Sequence, residues 1–242
     1  MESFQAGYTE VWAASQNLPL ARFADSARSI ASTGLDMLEF NANQQLMQQL
    51  RSFNSIISWY GTNRPEFRSM VKGLPFEFFT AFPTDDHAVH AADFFAVQAG
   101  MSSLPAIPRI PCLRGDGGFA VIQPFSGSRK KCWPLDRYQA LARLVEPHMP
   151  VRWCAGPEEP LPEAVRIADL YELACWLATA RVYVGNDSGI THLAAAVGTP
   201  VVALFGPTDP FVWAPRGPQV RVVAKPDLEM ITPDEVLAAA LC

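Results

Sequence analysis

Short apolar runs alternate with amphipathic segments over the C-terminal half of the chain. Five apolar runs predict buried β-strands, and they lie at residues 119–124, 151–154, 181–184, 201–205 and 220–223. Amphipathic segments with helical spacing lie between them, at residues 134–146, 170–180 and 190–197. Thr232 and Glu235 predict a capping box that opens a last helix. This alternation predicts a parallel sheet covered by helices on both faces.

The first hundred residues have a less regular pattern. Two segments predict strands, at residues 10–14 and 55–60, and three predict helices, at residues 44–53, 64–71 and 87–98. A sheet of two or three strands is marginal by itself, so this half either leans on the second domain or lacks opening elements. The segment 101–118 contains three prolines and three glycines, which is typical of a linker. We therefore predict an N-terminal domain at 1–100, a linker at 101–118 and a C-terminal domain at 119–242.

Composition and charge narrow the class of protein. Hydrophobic residues make up 49% of the chain and the net charge is -5, which argues against a nucleic-acid binder. The segment 1–14 does not look like a signal peptide, and no stretch approaches the roughly 20 apolar residues of a membrane span, so at most peripheral membrane contact is expected. The five cysteines form no CxxC pair, and we expect reduced thiols in a cytoplasmic protein.

The loop after the third strand is a candidate anion site, because ligands of such sheets bind beyond the carboxyl ends of the strands. Residues 185–189 read Gly-Asn-Asp-Ser-Gly and precede a helix. Ser188, Gly189 and Ile190 can offer hydroxyl and backbone N–H donors to a phosphate. Helix capping by Asp187 or Ser188 explains the loop about equally well. Asp187 would repel a diphosphate, so it fits better facing a sugar hydroxyl or orienting its own loop.

A cationic loop follows the first strand of the same domain. Ser126, Gly127 and Ser128 form a small hydroxyl-rich turn, and Arg129, Lys130 and Lys131 follow it. A charge run is usually a solvated face. Its place at a strand-to-helix junction favours phosphate binding instead, with a lysine that neutralises charge on a leaving group.

The other loops and the histidines give weaker signals. Glu158 or Glu159 after the second strand can accept hydrogen bonds from a ribose or be a surface glutamate. The loop 206–210 can wrap a ligand or be only a turn. His192, in the first turn of its helix, is expected to be neutral, with a structural or ligand-facing role. His87 and His90 form an HxxH pattern that we interpret as surface or core rather than as a metal site.

Some motifs are absent from the sequence. There is no P-loop motif, no GxGxxG after a first strand and no Asp-x-Asp. An ordinary P-loop kinase, a dehydrogenase and a carboxylate-held metal are therefore not indicated, and no cofactor is expected.

Three segments resemble a known family. Residues 183–196 and 198–210, together with Lys131-Cys132-Trp133-Pro134, resemble the ADP-heptose:lipopolysaccharide heptosyltransferases, glycosyltransferase family nine. The resemblance implies an α/β protein with two Rossmann-like domains of the GT-B type. It implies that Lys131 meets the donor diphosphate and that Asp187 faces the donor. Ser188, Gly189 and His192 fall on the donor-phosphate loop, and Glu158 or Glu159 falls near the ribose-binding acid.

The N-terminal half resembles only the later part of that family's first domain. Residues 10–35 resemble the second strand and the elements after it, so the family's first strand, its Gly-containing loop with an acidic residue, and its first helix are expected to be missing. That acid is the family's proposed general base. Asp85 and Asp86 are possible substitutes, although no motif selects them.

The resemblance implies an inverting, metal-independent glycosyltransferase. It would move a sugar from an ADP-heptose-like donor to a glycolipid, lipopolysaccharide-type or other cell-surface glycan acceptor, with Lys131 and Asp187 as the catalytic residues. The expected location is the cytoplasm, with at most peripheral contact at the inner face of the bacterial inner membrane. The alternatives are a nucleotide-sugar-binding module without its general base, a fragment of a longer enzyme, and a nucleotide-sugar epimerase, against which the Lys-x-Trp-Pro segment argues.

Overall fold

The computed structural model describes residues 7–41, 43–83, 89–101, 105–115 and 117–242. The described residues form two compact units: residues 7–83 with 94–101, and residues 89–93 with 105–242. Within these ranges, no helix has both the length and the apolar character needed to cross a bilayer.

The first unit is α/β. Its elements in chain order are β1 (Glu10–Ala13), β2 (Ser26–Ser29), α1 (Ile30–Thr33), α2 (Gln44–Ser52), β3 (Ile56–Ser58), α3 (Pro65–Met70), β4 (Phe76–Phe78) and the larger part of α4 (Ala91–Gln98). Strand β1 pairs with β2 and β3 pairs with β4, both in parallel. The predicted strands and helices are confirmed within the described residues, whereas β2 and β4 were not predicted.

Aromatic rings fill the core of the first unit. Phe67 is fully buried, and its ring packs edge-on against Tyr60, Phe76 and Phe78. Buried leucines from the 35–50 region complete this cluster. Strand β4 thus gains through aromatic packing the stability that a three-residue strand lacks by itself, and Ile56 of β3 packs against the same cluster.

The second unit is a five-stranded parallel sheet with helices between its strands. Its elements are β5 (Ala120–Gln123), α5 (Leu135–Val145), β6 (Val151–Trp153), α6 (Leu170–Leu177), β7 (Val182–Asn186), α7 (Gly189–Ala196), β8 (Val201–Phe205), α8 (Pro210–Trp213), β9 (Val220–Ala224) and α9 (Pro233–Leu241). The strand order is β6-β5-β7-β8-β9, and every pair is parallel. The predicted parallel sheet is confirmed, and the order reverses between β5 and β7.

Burial explains why this sheet was predictable. Every residue of β5, β7 and β8 is buried, so apolar residues dominate these strands instead of alternating with polar ones. The predicted capping box is present, because Thr232 accepts from the Glu235 N–H while the Glu235 carboxylate accepts from the Thr232 N–H. Trp133 is 1% exposed, and its indole N–H donates to the Ile231 carbonyl oxygen at 3.2 Å. Trp133 therefore packs in the interior at the start of α5.

Strand β7 extends two residues further than its apolar run. Gly185 and Asn186 pair with Ala203 and Leu204 of β8, so a glycine and an asparagine continue the ladder. This extension places residues 187–189 directly at the carboxyl edge of the sheet, which is where ligands of such sheets bind.

Candidate functional site

The candidate site lies at the carboxyl edge of the second unit's sheet, beside its switch point. Strands β5 and β7 are neighbours in the sheet. The helix after β5 leads to β6 on one side of this pair, whereas the helix after β7 leads to β8 on the other side. The loops after these two strands diverge there and leave a crevice, the usual ligand position in doubly wound sheets. These loops contain the cationic run and the Asn-Asp-Ser-Gly segment singled out from the sequence.

The three cations of the loop after β5 differ in their exposure to solvent. Residues Arg129–Lys131 form a short 3-10 turn, closed by a hydrogen bond of 3.0 Å from the Lys131 N–H to the Ser128 carbonyl oxygen. Arg129 and Lys130 are exposed, whereas Lys131 is partly buried. The charge run thus contains two solvated cations, Arg129 and Lys130, and one cation, Lys131, that faces inward.

Lys131 is fixed by an ion pair across the switch point. Its Nζ lies 2.7 Å from Oδ2 of Asp187, in the loop after β7. The Thr208 hydroxyl, in the loop after β8, donates to the same oxygen at 2.8 Å. The Ser126 hydroxyl donates to the Asp187 carbonyl oxygen at 2.9 Å. Asp187 therefore holds three loops together, and the interpretation that it orients its own loop agrees with these contacts.

Ser188, rather than Asp187, caps helix α7. The Ser188 Oγ accepts from the Thr191 N–H at 3.3 Å, so the suggested capping by Asp187 is wrong because its carboxylate is engaged by Lys131 and Thr208. Within the described part of the chain, the N–H groups of Gly189 and Ile190 donate to no acceptor. These two N–H groups can therefore bind an anion while Ser188 caps the helix.

A network of buried polar side chains contacts the Ser188 hydroxyl. The Tyr183 hydroxyl lies 3.1 Å from the Gln123 side-chain oxygen and 3.2 Å from the Thr191 hydroxyl. The Ser188 hydroxyl lies 3.0 Å from the Thr191 hydroxyl and 3.3 Å from the Gln123 oxygen. Tyr183 is fully buried, and desolvation by burial raises the pKa of its phenol far above the ordinary value. This network is neutral and fixes the rotamer of Ser188.

Asn186 connects the two loops, although the sequence predicted no individual role for it. Its side chain is fully buried, and its amide oxygen accepts from the Trp133 N–H at 2.9 Å. Its amide N–H donates to the Pro124 carbonyl oxygen at 2.8 Å. Both ends of the cationic loop are thereby tied to the end of β7. The available signal was a polar residue at the end of an otherwise apolar strand.

The two adjacent glutamates in the loop after β6, Glu158 and Glu159, have different surroundings. The Glu159 carboxylate accepts from the Gly156 N–H at 2.5 Å, and Arg166 donates to the carbonyl oxygens of residues 156 and 159. Glu158 is exposed, and within the described ranges its carboxylate makes no hydrogen bond or ion pair. Glu159 therefore shapes its own loop, which leaves Glu158 as the carboxylate available to a ribose.

Two of the three histidines described in this unit, His90 and His192, are partly shielded from solvent. Burial lowers the pKa of His192, with an opposing contribution from the Asp187 carboxylate. Burial also lowers the pKa of His90, whose Nε2 contacts the Ala214 carbonyl oxygen at 2.8 Å while its Nδ1 accepts from the Ala92 N–H. Burial thus favours the neutral form of both imidazoles. His87 lies outside the described residues, as do Asp85 and Asp86. Among the side chains that the structure describes, no group of three His, Cys, Asp or Glu residues could hold a metal ion.

Nine of the predicted site residues belong to the loops and the helix start around the switch point. They are Ser126, Gly127, Ser128, Lys131, Asp187, Ser188, Gly189, Ile190 and His192. Contacts join Ser126 and Lys131 to Asp187, and the loop of Glu158 follows the neighbouring strand β6. The fold and the position of this edge together define a doubly wound, Rossmann-like α/β protein.

The comparisons with known proteins agree with that class and refine it. The model of glycosyltransferase family 9 (heptosyltransferase) matches residues 103–235. The chain therefore belongs to glycosyltransferase family 9. It is 29% identical over 119 residues to lipooligosaccharide heptosyltransferase 2 of Haemophilus influenzae, a match that covers 42% of this chain and 34% of that relative. The matched part is thus about a third of that relative's length.

Solved structures match the fold over nearly the whole chain. ADP-heptose LPS heptosyltransferase II of E. coli is 20% identical, covers 99% of this chain and 91% of its own, and has a TM-score of 0.71. E. coli heptosyltransferase WaaC with ADP is 16% identical, covers 93% of this chain and 87% of its own, and has a TM-score of 0.67. The expected heptosyltransferase-type α/β fold with parallel sheets is confirmed, in a chain shorter than these relatives.

Proposed function

We propose that the second unit binds the diphosphate of a nucleoside-diphosphate sugar between the loop after β5 and the start of α7. One observation carries this proposal: the Lys131 ammonium is held 2.7 Å from Asp187, in the loop that leads into the helix start where the Gly189 and Ile190 N–H groups have no acceptor in the described structure. An ammonium, a hydroxyl and two backbone donors at one loop edge form a set of groups that recognises a diphosphate.

The names of the relatives supply the donor and acceptor classes. The solved relatives are heptosyltransferases, one of them with ADP, and the relatives' names refer to lipopolysaccharide or lipooligosaccharide. We therefore assign an ADP-heptose-like donor and a lipopolysaccharide-type glycolipid acceptor. This function would place the chain in the cytoplasm, with at most peripheral contact at the inner face of the bacterial inner membrane.

The proposed reaction is an inverting glycosyl transfer. An acceptor hydroxyl attacks the anomeric carbon from the face opposite the diphosphate, the bond from carbon to the diphosphate oxygen breaks, and a base takes the hydroxyl proton. Lys131 and the start of α7 stabilise the negative charge that grows on the leaving diphosphate. The chain thus supplies positive charge from its own groups, as a metal-independent reaction requires.

Asp187 acts on this reaction through Lys131. Its Oδ2 is occupied by Lys131 and Thr208, and its side chain is only 8% exposed. We assign it the positioning of Lys131 rather than proton acceptance. The base remains a prediction, because Asp85 and Asp86 lie outside the described residues.

Binding of nucleotides without metal tests the donor site. We would titrate ADP, UDP and GDP into the wild type, Lys131→Ala and Lys130→Ala by calorimetry in the presence of a chelator. Loss of a charge-assisted hydrogen bond predicts about 10- to 100-fold weaker ADP binding for Lys131→Ala. Lys130 is the adjacent exposed lysine, so Lys130→Ala should stay within about twofold. Equal losses in both variants would reduce the loop to a non-specific cationic surface, and absence of binding by every nucleotide would reject the site.

A measurement of turnover distinguishes an active enzyme from a binding module that lacks a general base. Both share the donor site, so both predict ADP binding that depends on Lys131. Only the enzyme releases ADP from an ADP-heptose donor in proportion to transfer to a lipopolysaccharide acceptor. Binding without acceptor-dependent ADP release would favour the module.

A further inference from the structure

Two cysteine thiols outside the proposed donor site lie in direct contact. The Sγ atoms of Cys112 and Cys175 are 3.2 Å apart, although the residues are 63 positions apart in the chain. This separation is roughly 1.2 Å longer than a disulfide bond. Cys112 belongs to the segment 105–115, Cys175 lies on α6, and both are partly exposed.

Hydrogen bonds hold the backbone on both sides of Cys112. The Ile110 N–H donates to the Ala196 carbonyl oxygen at 2.9 Å, and the Gly115 N–H donates to the Ala178 carbonyl oxygen at 3.2 Å. The Tyr171 hydroxyl, one turn before Cys175 on α6, donates to the Pro111 carbonyl oxygen at 3.0 Å. The two sulfurs therefore meet between anchored segments, and folding has already met the entropic cost of bringing them together.

The other cysteines have different surroundings. Cys154 is 3% exposed, and burial raises the pKa of its thiol to about 12, so little reactive thiolate forms there. The Cys132 thiol donates to the Ser128 carbonyl oxygen at 3.4 Å, within the loop after β5. Cys242 is exposed at the end of the chain. Cys112 and Cys175 are thus the one close pair of thiols that the described residues contain.

We propose that Cys112 and Cys175 form a reversible disulfide by exchange with a small-molecule disulfide. One thiolate of the pair attacks the small disulfide, which forms a mixed disulfide and releases one small thiolate. The second protein thiolate attacks the protein sulfur of that intermediate, forms the Cys112–Cys175 bond and releases the second small thiol. Two protein thiols are oxidised, one small disulfide is reduced to two thiols, and the two protons go to those thiols.

The bond would tie the segment 105–115 covalently to α6. Disulfides in reducing compartments are usually transient and redox-sensing, and an exposed pair can be reduced again. The pair shares no residue with the proposed donor site, so either proposal can fail without the other.

Peptide mapping tests the bond directly. Trypsin places the two cysteines in different peptides, residues 110–114 and 167–181, because Arg109, Arg114, Arg166 and Arg181 flank them. The full chain would be incubated with glutathione disulfide at neutral pH, blocked with iodoacetamide and digested without reductant. We expect the two peptides to be joined, two hydrogen atoms lighter than their sum, and to separate on addition of dithiothreitol.

Single variants supply the controls. In Cys175→Ser, Cys112 should retain the glutathione adduct, and in Cys112→Ser, Cys175 should do so, because neither variant has the resolving thiol. Cys242→Ser should form the link like the wild type. Oxidation should raise the melting temperature of the wild type by about 5 °C or more, a shift absent from Cys112→Ser. Stable glutathione adducts on both cysteines of the wild type, full alkylation of both, or a link to another cysteine would overturn the proposal.

Discussion

The Lys131 ammonium and the Asp187 carboxylate meet at 2.7 Å across the switch point of the sheet. The pair places a cation beside the start of α7, but it also places a negative charge where a diphosphate is proposed to bind. Asp187 is tolerable there because Lys131 neutralises it and Thr208 donates to the same oxygen. This balance makes the two residues energetically dependent on one another.

Removal of Lys131 should expose the repulsion from Asp187. In Lys131→Ala, the unpaired carboxylate opposes the diphosphate, so part of the lost affinity is repulsion rather than a missing contact. We predict that adding Asp187→Asn to Lys131→Ala restores ADP affinity by about 3- to 10-fold. Calorimetry on the wild type, both single variants and the double variant measures this coupling. Additive losses in the double variant would contradict the proposed dependence.

Glu158 should recognise the ribose of the nucleotide. We predict that Glu158→Ala weakens ADP binding by about 3- to 10-fold, because a hydrogen bond to a charged group is lost. The same variant should bind 2′-deoxy-ADP or 3′-deoxy-ADP as well as it binds ADP, whereas the wild type should discriminate against one of them. Gln139→Ala, on the exposed face of α5, is a suitable control for surface substitution. If the Glu158 variant discriminates like the wild type, Glu158 does not contact the ribose.

The sheet of the second unit could be predicted because its central strands β5, β7 and β8 are buried on both faces, but the strands β2 and β4 could not. β2 reads Ser-Ala-Arg-Ser and has no apolar run, so its pairing with β1 rests on backbone contacts that side-chain patterns do not show. β4 has three residues, and its two phenylalanines pack against Phe67 of α3, a contact that the short Phe-Glu-Phe run does not predict.

The same reasoning applies to the candidate site. Loop positions after strands directed attention to Lys131 and Asp187, but residues 56 positions apart carry no signal of a shared ion pair. The choice between Glu158 and Glu159 likewise depends on which carboxylate folds back to the Gly156 N–H. Asn186 escaped notice because its function is to satisfy backbone groups of another loop, which only the folded chain brings near.

Asn186 should contribute strongly to stability. Asn186→Ala leaves the Trp133 N–H and the Pro124 carbonyl oxygen without their partner in a buried position. At about 1–3 kcal/mol for each of the two unsatisfied groups, we predict a loss of about 2–6 kcal/mol in the free energy of unfolding. Urea denaturation followed by fluorescence measures this loss, with Gln139→Ala as the control. A loss of under about 0.5 kcal/mol, the range of ordinary surface substitutions, would show that the two groups find other partners.

The buried histidines should make stability depend on pH in a defined window. Burial lowers the pKa of His192 and His90 in the folded chain below the ordinary value of 6.5. Between the lowered value and 6.5 the unfolded chain binds more protons, so the free energy of unfolding rises with pH in that window and levels off above it. Glu235, whose hydrogen bond with Lys225 lowers its pKa from 4.5 to about 2, contributes only at lower pH.

The measurement is urea denaturation of the wild type and single variants between about pH 5 and 8. His192→Gln and His90→Gln should each flatten the dependence, because each removes one group that must bind its proton on unfolding. Gln139→Ala, an exposed substitution on the same unit that removes no titratable group, should leave the slope unchanged. A stability that increases on acidification through this window would mean that these imidazoles are charged in the folded chain, with Asp187 outweighing burial at His192.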